Sequence, residues 1–126
     1  MRSTIDNRNE VTYNDLTTFL HSKKALAIVK KEFGLVSSDF DVLAAAHIVA
    51  TQFTGFFRAS QLAKRLTTHP NNIYPVIKKL YSHRMIEIVW PADTLKKSAA
   101  GYCLTHKGSE VVDRFTGVML KLKQGK

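Results

Sequence analysis

The stretch ASQLAKRLTTHPNNIYPVIKKLYSHRM, residues 59–85, decides the fold class. Its first part predicts a short helix with Leu62 and Leu66 facing inward, because these apolar residues recur at helical spacing. Residues 67–69 then form a tight connection, and Pro70 occupies the first turn of a second helix, where proline is tolerated. Two short helices joined by a tight turn are typical of a helix-turn-helix unit.

The residues that follow this unit predict a β-hairpin. Residues 86–90 read IEIVW, a run rich in β-branched side chains, and residues 102–105 form a second predicted strand. The loop between them, residues 91–101, carries the adjacent lysines Lys96 and Lys97 at its tip. The sequence therefore predicts a winged helix-turn-helix, a mainly α fold with a small β-hairpin wing (α+β).

Three further helices are predicted around this unit, from apolar residues at helical spacing and from capping residues at the ends. They cover about residues 14–34, 38–51 and 106–123. The middle helix is unusually apolar, which is typical of a helix buried between others. A length of 126 residues fits one domain, so we expect a flexible N-terminal arm over residues 1–11 and a single winged-helix domain over residues 12–126.

The charge of the chain is concentrated in its second half. The sequence has 19 basic and 10 acidic residues, and the whole net charge of +9 lies in residues 58–126, since residues 1–57 hold six of each sign. Such a field suits a polyanion, because each phosphate contact releases condensed counterions. The alternative is a basic surface that only keeps the protein in solution.

Composition excludes several classes of protein. With 44% apolar residues and one cysteine, the chain is neither disordered nor built on disulfides or on a multi-cysteine zinc site. No apolar stretch approaches the ~20 residues of a membrane span, and the polar N-terminus is not a signal peptide. No nucleophile–base pair, phosphate-binding glycine loop or paired carboxylates appear. We expect a cytoplasmic protein that is not an enzyme, binds no membrane and needs no cofactor or metal.

The second helix of the unit has an apolar face and a polar face. Its inward face is formed by Ile73, Val76, Ile77 and Leu80, and the opposite face shows Asn71, Pro75, Lys78 and Ser82. Asparagine can pair with adenine, and lysine with guanine or phosphate. The alternative for Asn71 and Asn72 is simple capping or solvent exposure. Tyr74 offers a hydroxyl to phosphate, or else it lies partly in the core.

Cations beside this face suit phosphate contacts, which position a protein on DNA without reading its sequence. The candidate nucleic-acid-binding residues are Ser60, Lys64, Arg65, Asn71, Asn72, Tyr74, Lys78, Lys79, Arg84, Lys96 and Lys97.

Other reactive residues stand alone. Cys103 is a candidate redox sensor, but a lone cysteine in a predicted strand is more often a small buried hydrophobe. Cys103 and His106 are spaced like half of a metal site without a second pair. His47, in the apolar helix, is interpreted as a hydrogen-bonded core residue.

At this point the residues resemble a known family. A long first helix, an apolar second helix, the unit 60–85, a hairpin, and LTHKG (residues 104–108) opening the last helix resemble the multiple-antibiotic-resistance regulator (MarR) family over roughly residues 12–123. Two shorter segments, KKEFG at 30–34 and SDFDVL at 38–43, are similar to its staphylococcal accessory regulator (SarA) branch. A third segment, IYPVIKKL at 73–80, resembles the phenolic-acid (PadR) regulators. Met85 stands where the family usually has glycine, and Lys97 where its wing often has arginine.

The resemblance implies a homodimer that binds pseudo-palindromic double-stranded DNA. Residues 12–34 and 106–123 would form the dimerisation helices, and residues 59–105 the DNA-binding lobe. The recognition helix, about residues 70–83, would enter the major groove, and the wing, residues 91–101, would meet the minor groove or the backbone. A small-molecule effector is a further candidate partner.

The apolar stripes of the first and last helices support a dimer, because they exceed what one small domain needs. The candidate interface residues are Leu16, Phe19, Leu20, Phe115, Val118, Met119 and Leu122. The alternative is ordinary packing onto the core of the same chain.

We expect a sequence-specific, homodimeric transcriptional regulator located in the cytoplasm on a bacterial or archaeal nucleoid. The alternatives are a winged-helix DNA-binding adaptor for plasmid or phage partition or replication, and a protein-interaction module. An RNA binder is less favoured, because no sheet of stacking aromatic residues is present.

Overall fold

The computed structural model describes the backbone of residues 2–52, 55–90 and 100–125, and side chains from residue 13 onward within these ranges. In chain order the elements are α1 (Arg2–Phe33), α2 (Ser37–Gln52), α3 (Ala59–Arg65), a 3₁₀ segment (Pro70–Asn72), α4 (Tyr74–Ser82), β1 (Ile86–Trp90), β2 (Gly101–Leu104) and α5 (His106–Gln124). The predicted fold class, mainly α with a two-stranded hairpin, is confirmed.

The first helix is longer than predicted. It begins at Arg2, so residues 2–11 are helical where the sequence analysis expects a flexible arm and a start near Asn14. No glycine or proline interrupts the segment from Arg2 to Phe33, and these are the residues that break helices most strongly. Asn14 and Asp15 favour helix starts, but they are also tolerated inside a helix.

The apolar helix α2 lies at the centre of the fold. It contacts α1, α3, α4, α5 and β2, which explains why its residues Val42, Leu43, Ala46 and Val49 are buried. Among the described residues no single helix is long and apolar enough to cross a membrane; α1 from Tyr13 and α2, which meet at 103°, pass that test only when taken together.

The hairpin strands β1 and β2 are antiparallel, and Ile86 pairs with Leu104. A β-bulge lies between Ile88 and Trp90, and it brings Trp90 opposite Gly101. Phe57 extends this small sheet through one further bridge to Tyr102. The loop that the sequence analysis assigns to the wing, with Lys96 and Lys97, lies outside the described residues except for its last positions.

An ion pair joins the first and last helices. The Arg114 guanidinium donates from Nε and Nη2 to the two carboxylate oxygens of Glu32, both at 2.8 Å. This hydrogen bonding holds the pKa of Glu32 below its usual value. The pair links the end of α1 to α5 at the surface.

Candidate nucleic-acid interface

The turn between α3 and the second helix is stabilised by backbone and side-chain hydrogen bonds. Thr67 takes a left-handed conformation, φ 55°, and the following amide of Thr68 donates to the carbonyl of Ala63 at 2.9 Å. These features form a Schellman motif, which ends α3. His69 then caps the next segment, because its Nδ1 accepts from the backbone N–H of Asn71 at 3.1 Å.

The second helix is not one continuous α-helix over residues 70–83. It consists of the 3₁₀ segment Pro70–Asn72 followed by α4, which begins at Tyr74. Pro75 therefore lies in the first turn of α4, where a missing N–H costs little because those donors have no partner inside the helix.

The recognition face agrees with the predicted helix orientation. Ile73, Ile77 and Leu80 are buried in the core, whereas Asn71 and Lys78 are exposed. Asn72, Pro75 and Ser82 are exposed as well. This arrangement leaves a mostly polar exposed side on a segment whose other side is anchored in the core.

Neither asparagine caps its helix, since His69 performs that role. The Asn72 amide donates to Thr68 Oγ1 at 2.8 Å, which fixes its orientation. Tyr74 is half-buried and packs against the core cluster, in agreement with the alternative that places it partly in the core.

Lys79 has a structural partner that the sequence analysis missed. Its Nζ lies 2.7 Å from Oδ2 of Asp39, whose side chain is only 2% exposed. The same oxygen accepts from the backbone N–H of Val36 at 3.0 Å, at the start of α2. A buried carboxylate needs such partners. In this structure the Lys79 ammonium pairs with Asp39, and its contact with phosphate stays a prediction.

The cations of α3 remain at the surface. Ser60, Lys64 and Arg65 are all exposed. Arg65 donates from Nη2 to Oε1 of Gln52 at 2.6 Å, so the end of α2 orients its guanidinium. Gln52 is a residue that sequence reasoning missed, since a polar residue at a helix end carries no distinctive pattern.

Arg84 ends α4 in an unusual conformation. Its φ is 62°, and Met85 N–H donates to the Leu80 carbonyl at 2.9 Å while Arg84 N–H donates to that of Tyr81 at 3.0 Å. This is again a Schellman motif, in which glycine is usual at the left-handed position. Gly34 takes this conformation at the end of α1, with φ 67°.

We expect Arg84→Gly to raise the free energy of unfolding by about 0.5–1 kcal/mol, because glycine adopts positive φ without steric cost. Arg84→Ala is the matched control, since it removes the same side chain and keeps the strain. Urea denaturation of both variants measures the effect. Equal stability of the two variants would contradict this interpretation.

The start of α5 is joined to the end of α4 by a set of contacts that we call the latch. Thr105 Oγ1 donates to the Arg84 carbonyl at 2.6 Å and accepts from Gly108 N–H at 3.1 Å. Lys107 Nζ donates to the His83 carbonyl at 3.3 Å. Thr105 N–H donates to the Met85 carbonyl at 3.1 Å. The segment LTHKG thus fixes the C-terminal end of α4.

Cys103 is half-buried beside a carboxylate. Burial, with the neighbouring Glu87 carboxylate, raises its pKa, and the thiolate is the reactive form. Its Sγ lies 3.9 Å from Glu87 Oε1. His106 is exposed and His47 half-buried, and within the described ranges no three histidine, cysteine or acidic residues are grouped to hold a metal ion.

The candidate dimer residues divide into three groups. Leu16, Phe19 and Leu20 of α1 are 53–59% exposed. Val118 is buried and the Phe115 ring lies 4.6 Å from that of Phe40, so these two pack within the chain, as the alternative states. Met119 and Leu122 are half-buried.

Beside these residues, α1 and α5 form an open groove of about 740 Å³. Its lining includes Tyr13, His21, Met119 and Leu120. Leu120 is exposed, and the sequence analysis did not include it.

Comparison with solved structures identifies the fold. The multiple antibiotic-resistance repressor (MarR) of Listeria monocytogenes superposes with a TM-score of 0.71 at 17% identity, over 97% of this chain and 80% of that one. A mutant of S. aureus MepR bound to an oligodeoxyribonucleotide superposes with a TM-score of 0.68 at 16% identity, over 92% of this chain and 80% of that one. Transcriptional regulator Tm0710 of Thermotoga maritima superposes with a TM-score of 0.64 at 18% identity, over 99% of this chain and 78% of that one.

No protein-family model matches the sequence, and neither does any curated protein. The superpositions on solved structures nevertheless confirm the predicted resemblance to MarR regulators at the level of the fold.

Proposed function

We propose that this protein is a transcriptional regulator that binds double-stranded DNA through the segment from Pro70 to Ser82. The observation that carries this proposal is the exposed polar face of that segment. Asn71 and Lys78 project from it, while Ile77 and Leu80 anchor its opposite side in the core. In a helix-turn-helix this position of the second helix suits the major groove.

Charge and fold support the same function. The net charge of +9 lies in residues 58–126, which contain the helix-turn-helix. The similar MepR structure holds an oligodeoxyribonucleotide. We assign phosphate contacts to Lys64, Arg65 and Arg84, and, by sequence, to the wing lysines Lys96 and Lys97 on the minor groove or the backbone. No catalytic step is assigned.

We further propose a homodimer formed through α1 and α5. Leu16, Phe19 and Leu20 expose large apolar side chains next to the groove between these helices, and a second copy would cover them. Two copies would place two recognition segments on half-sites about one helical turn of DNA apart. Such a protein acts in the cytoplasm, where its DNA lies.

Fluorescence anisotropy tests the DNA-binding proposal, with a random duplex and a duplex from upstream of the gene, each titrated with salt. We expect tighter binding to the upstream duplex, and affinities that fall steeply with salt. Asn71→Ala and Lys78→Ala should each weaken the upstream complex by about 1–3 kcal/mol. Lys31→Ala, which removes the same charge as Lys78→Ala from an exposed position of α1, should bind like the wild type.

Several results would contradict the proposal. Full affinity in both variants would show that the assigned face does not read DNA. An absence of binding at low salt would reject DNA binding altogether, and a protein partner would then have to account for the basic half. Equal affinity for the two duplexes would leave an architectural protein instead of a sequence-specific regulator.

A further inference from the structure

A pair of aromatic side chains at the base of the hairpin lies outside the core. Trp90, the last residue of β1, is half-buried, and Phe56 is 38% exposed. Their ring centroids lie 5.4 Å apart in an edge-to-face arrangement, with an interplanar angle of 71°. Large aromatic rings usually contribute to stability by being buried, and here both remain at the surface.

The position of the indole ring depends on two special features of the backbone. The β-bulge between Ile88 and Trp90 changes the register of β1, and bulges re-aim side chains. Opposite Trp90 lies Gly101, where an added Cβ would come within 2.1 Å of the ring. Only glycine leaves room for the indole to lie against the neighbouring strand.

A cation lies over this ring. The guanidinium carbon of Arg58 is 5.9 Å from the ring of Trp90, within the range of a cation–π interaction. Arg58 is exposed, and its backbone N–H donates to Gln61 Oε1 at 2.8 Å. No ion pair joins Arg58 to a carboxylate of the described residues. Among the described residues, its charge is therefore oriented by the ring of Trp90 and paired with no carboxylate.

Arg58 also stands where the two DNA-binding elements meet. It follows Phe57, which bridges to the hairpin at Tyr102, and it precedes α3, the first helix of the helix-turn-helix. Through Trp90 it lies at the root of the wing. In a protein that places α4 in a groove, this junction would lie beside the backbone of the DNA.

We propose that Arg58, held by Trp90, is a phosphate-binding residue, and that Trp90 is its positioning residue. This inference rests on the proposed function, and it concerns a site that the set of predicted DNA-binding residues does not contain. Stacking on an indole restricts the guanidinium before DNA binds, which lowers the ordering cost of the contact. A phosphate contact carries no base information, so the contribution of Arg58 is the same on every duplex.

Salt titration of Arg58→Gln by fluorescence anisotropy, on the random and the upstream duplex, tests this proposal. We expect the slope of log K against log salt to fall by about 0.9, the value for one lost phosphate contact. The affinity should fall to a similar extent on both duplexes, by about threefold to tenfold at moderate salt. Lys31→Gln, with the same change in charge, should keep the slope of the wild type.

Trp90→Leu tests the positioning role, and circular dichroism checks that the variant folds. We expect about a threefold loss of affinity with the slope nearly unchanged, since the charge of Arg58 stays. In the Arg58→Gln background the same substitution should have no further effect, because the residue that it positions is gone.

A slope unchanged in Arg58→Gln would overturn the phosphate contact, and so would a loss confined to the upstream duplex. Additive losses in the double variant would overturn the positioning role of Trp90. In each of these cases the wild type still binds DNA, and the proposed function stands. Failure of the wild type to bind either duplex would instead reject both.

Discussion

Gly108→Ala is expected to lower the free energy of unfolding by about 3 kcal/mol, the upper end of the cost of overpacking a core. A Cβ at this position would lie 2.2 Å from the carbonyl oxygen of Met85. That carbonyl accepts from Thr105 N–H at 3.1 Å, so it cannot move away without breaking the latch. For a chain of this length we expect Tm to fall by about 10 °C.

Gly117→Ala is the matched control in the same helix. An added Cβ at Gly117 meets no atom within 4 Å, and the residue is exposed in the interior of α5. There alanine should raise the stability by up to about 1 kcal/mol, because glycine is a poor helix former. Thermal and urea unfolding of both variants measure the difference, and changes of the same sign would contradict the contact described at Met85.

Lys79→Ala should cost about 2 kcal/mol of stability, whereas Lys78→Ala should change it by less than about 0.5 kcal/mol, as for an ordinary surface position. Removal of Lys79 leaves the buried Asp39 carboxylate, among the residues that the structure describes, with the N–H of Val36 alone. Because Lys79 is 41% exposed, solvent screens the Coulombic part of the pair, and most of the cost comes from the unpaired carboxylate.

A double-mutant cycle with Asp39→Asn checks this cause. A neutral amide has no buried charge to compensate, so the loss caused by Lys79→Ala should be smaller in the Asp39→Asn background than in the wild type. Equal losses in the two backgrounds would show that Lys79 acts through its surroundings and not through Asp39. In DNA binding the order of the adjacent lysines should be reversed, with Lys78→Ala the more damaging.

The fold could be predicted from the sequence because its signals are local. Helical spacing of apolar residues, Pro70 in a first turn and β-branched residues in β1 each act over a few neighbours. Periodicity also identified the buried side of α4, where Ile77 and Leu80 lie in the core. The start of α1 was missed because a polar segment without glycine or proline gives no local signal of either state.

The contacts of the site were harder to predict, since they join distant residues. A helical wheel shows which side of α4 Lys79 occupies, but it does not show that Asp39 from α2 lies opposite. The left-handed backbone of Arg84 was equally hidden, because arginine is rare in that conformation. Thr105 and Gly108 were the available signal for the start of α5, because a threonine three residues before the amide that donates to its hydroxyl is a recognisable helix cap.

The latch has a mechanical consequence. Because the latch joins the end of α4 to the start of α5, a rigid-body rotation of α5 would be passed to α4. The 19 residues of α5 span about 28 Å, so a displacement of about 5 Å at its far end corresponds to a rotation of roughly 10° at the latch. A displacement of α5 at the open groove near Met119 and Leu120 would therefore change the angle of α4.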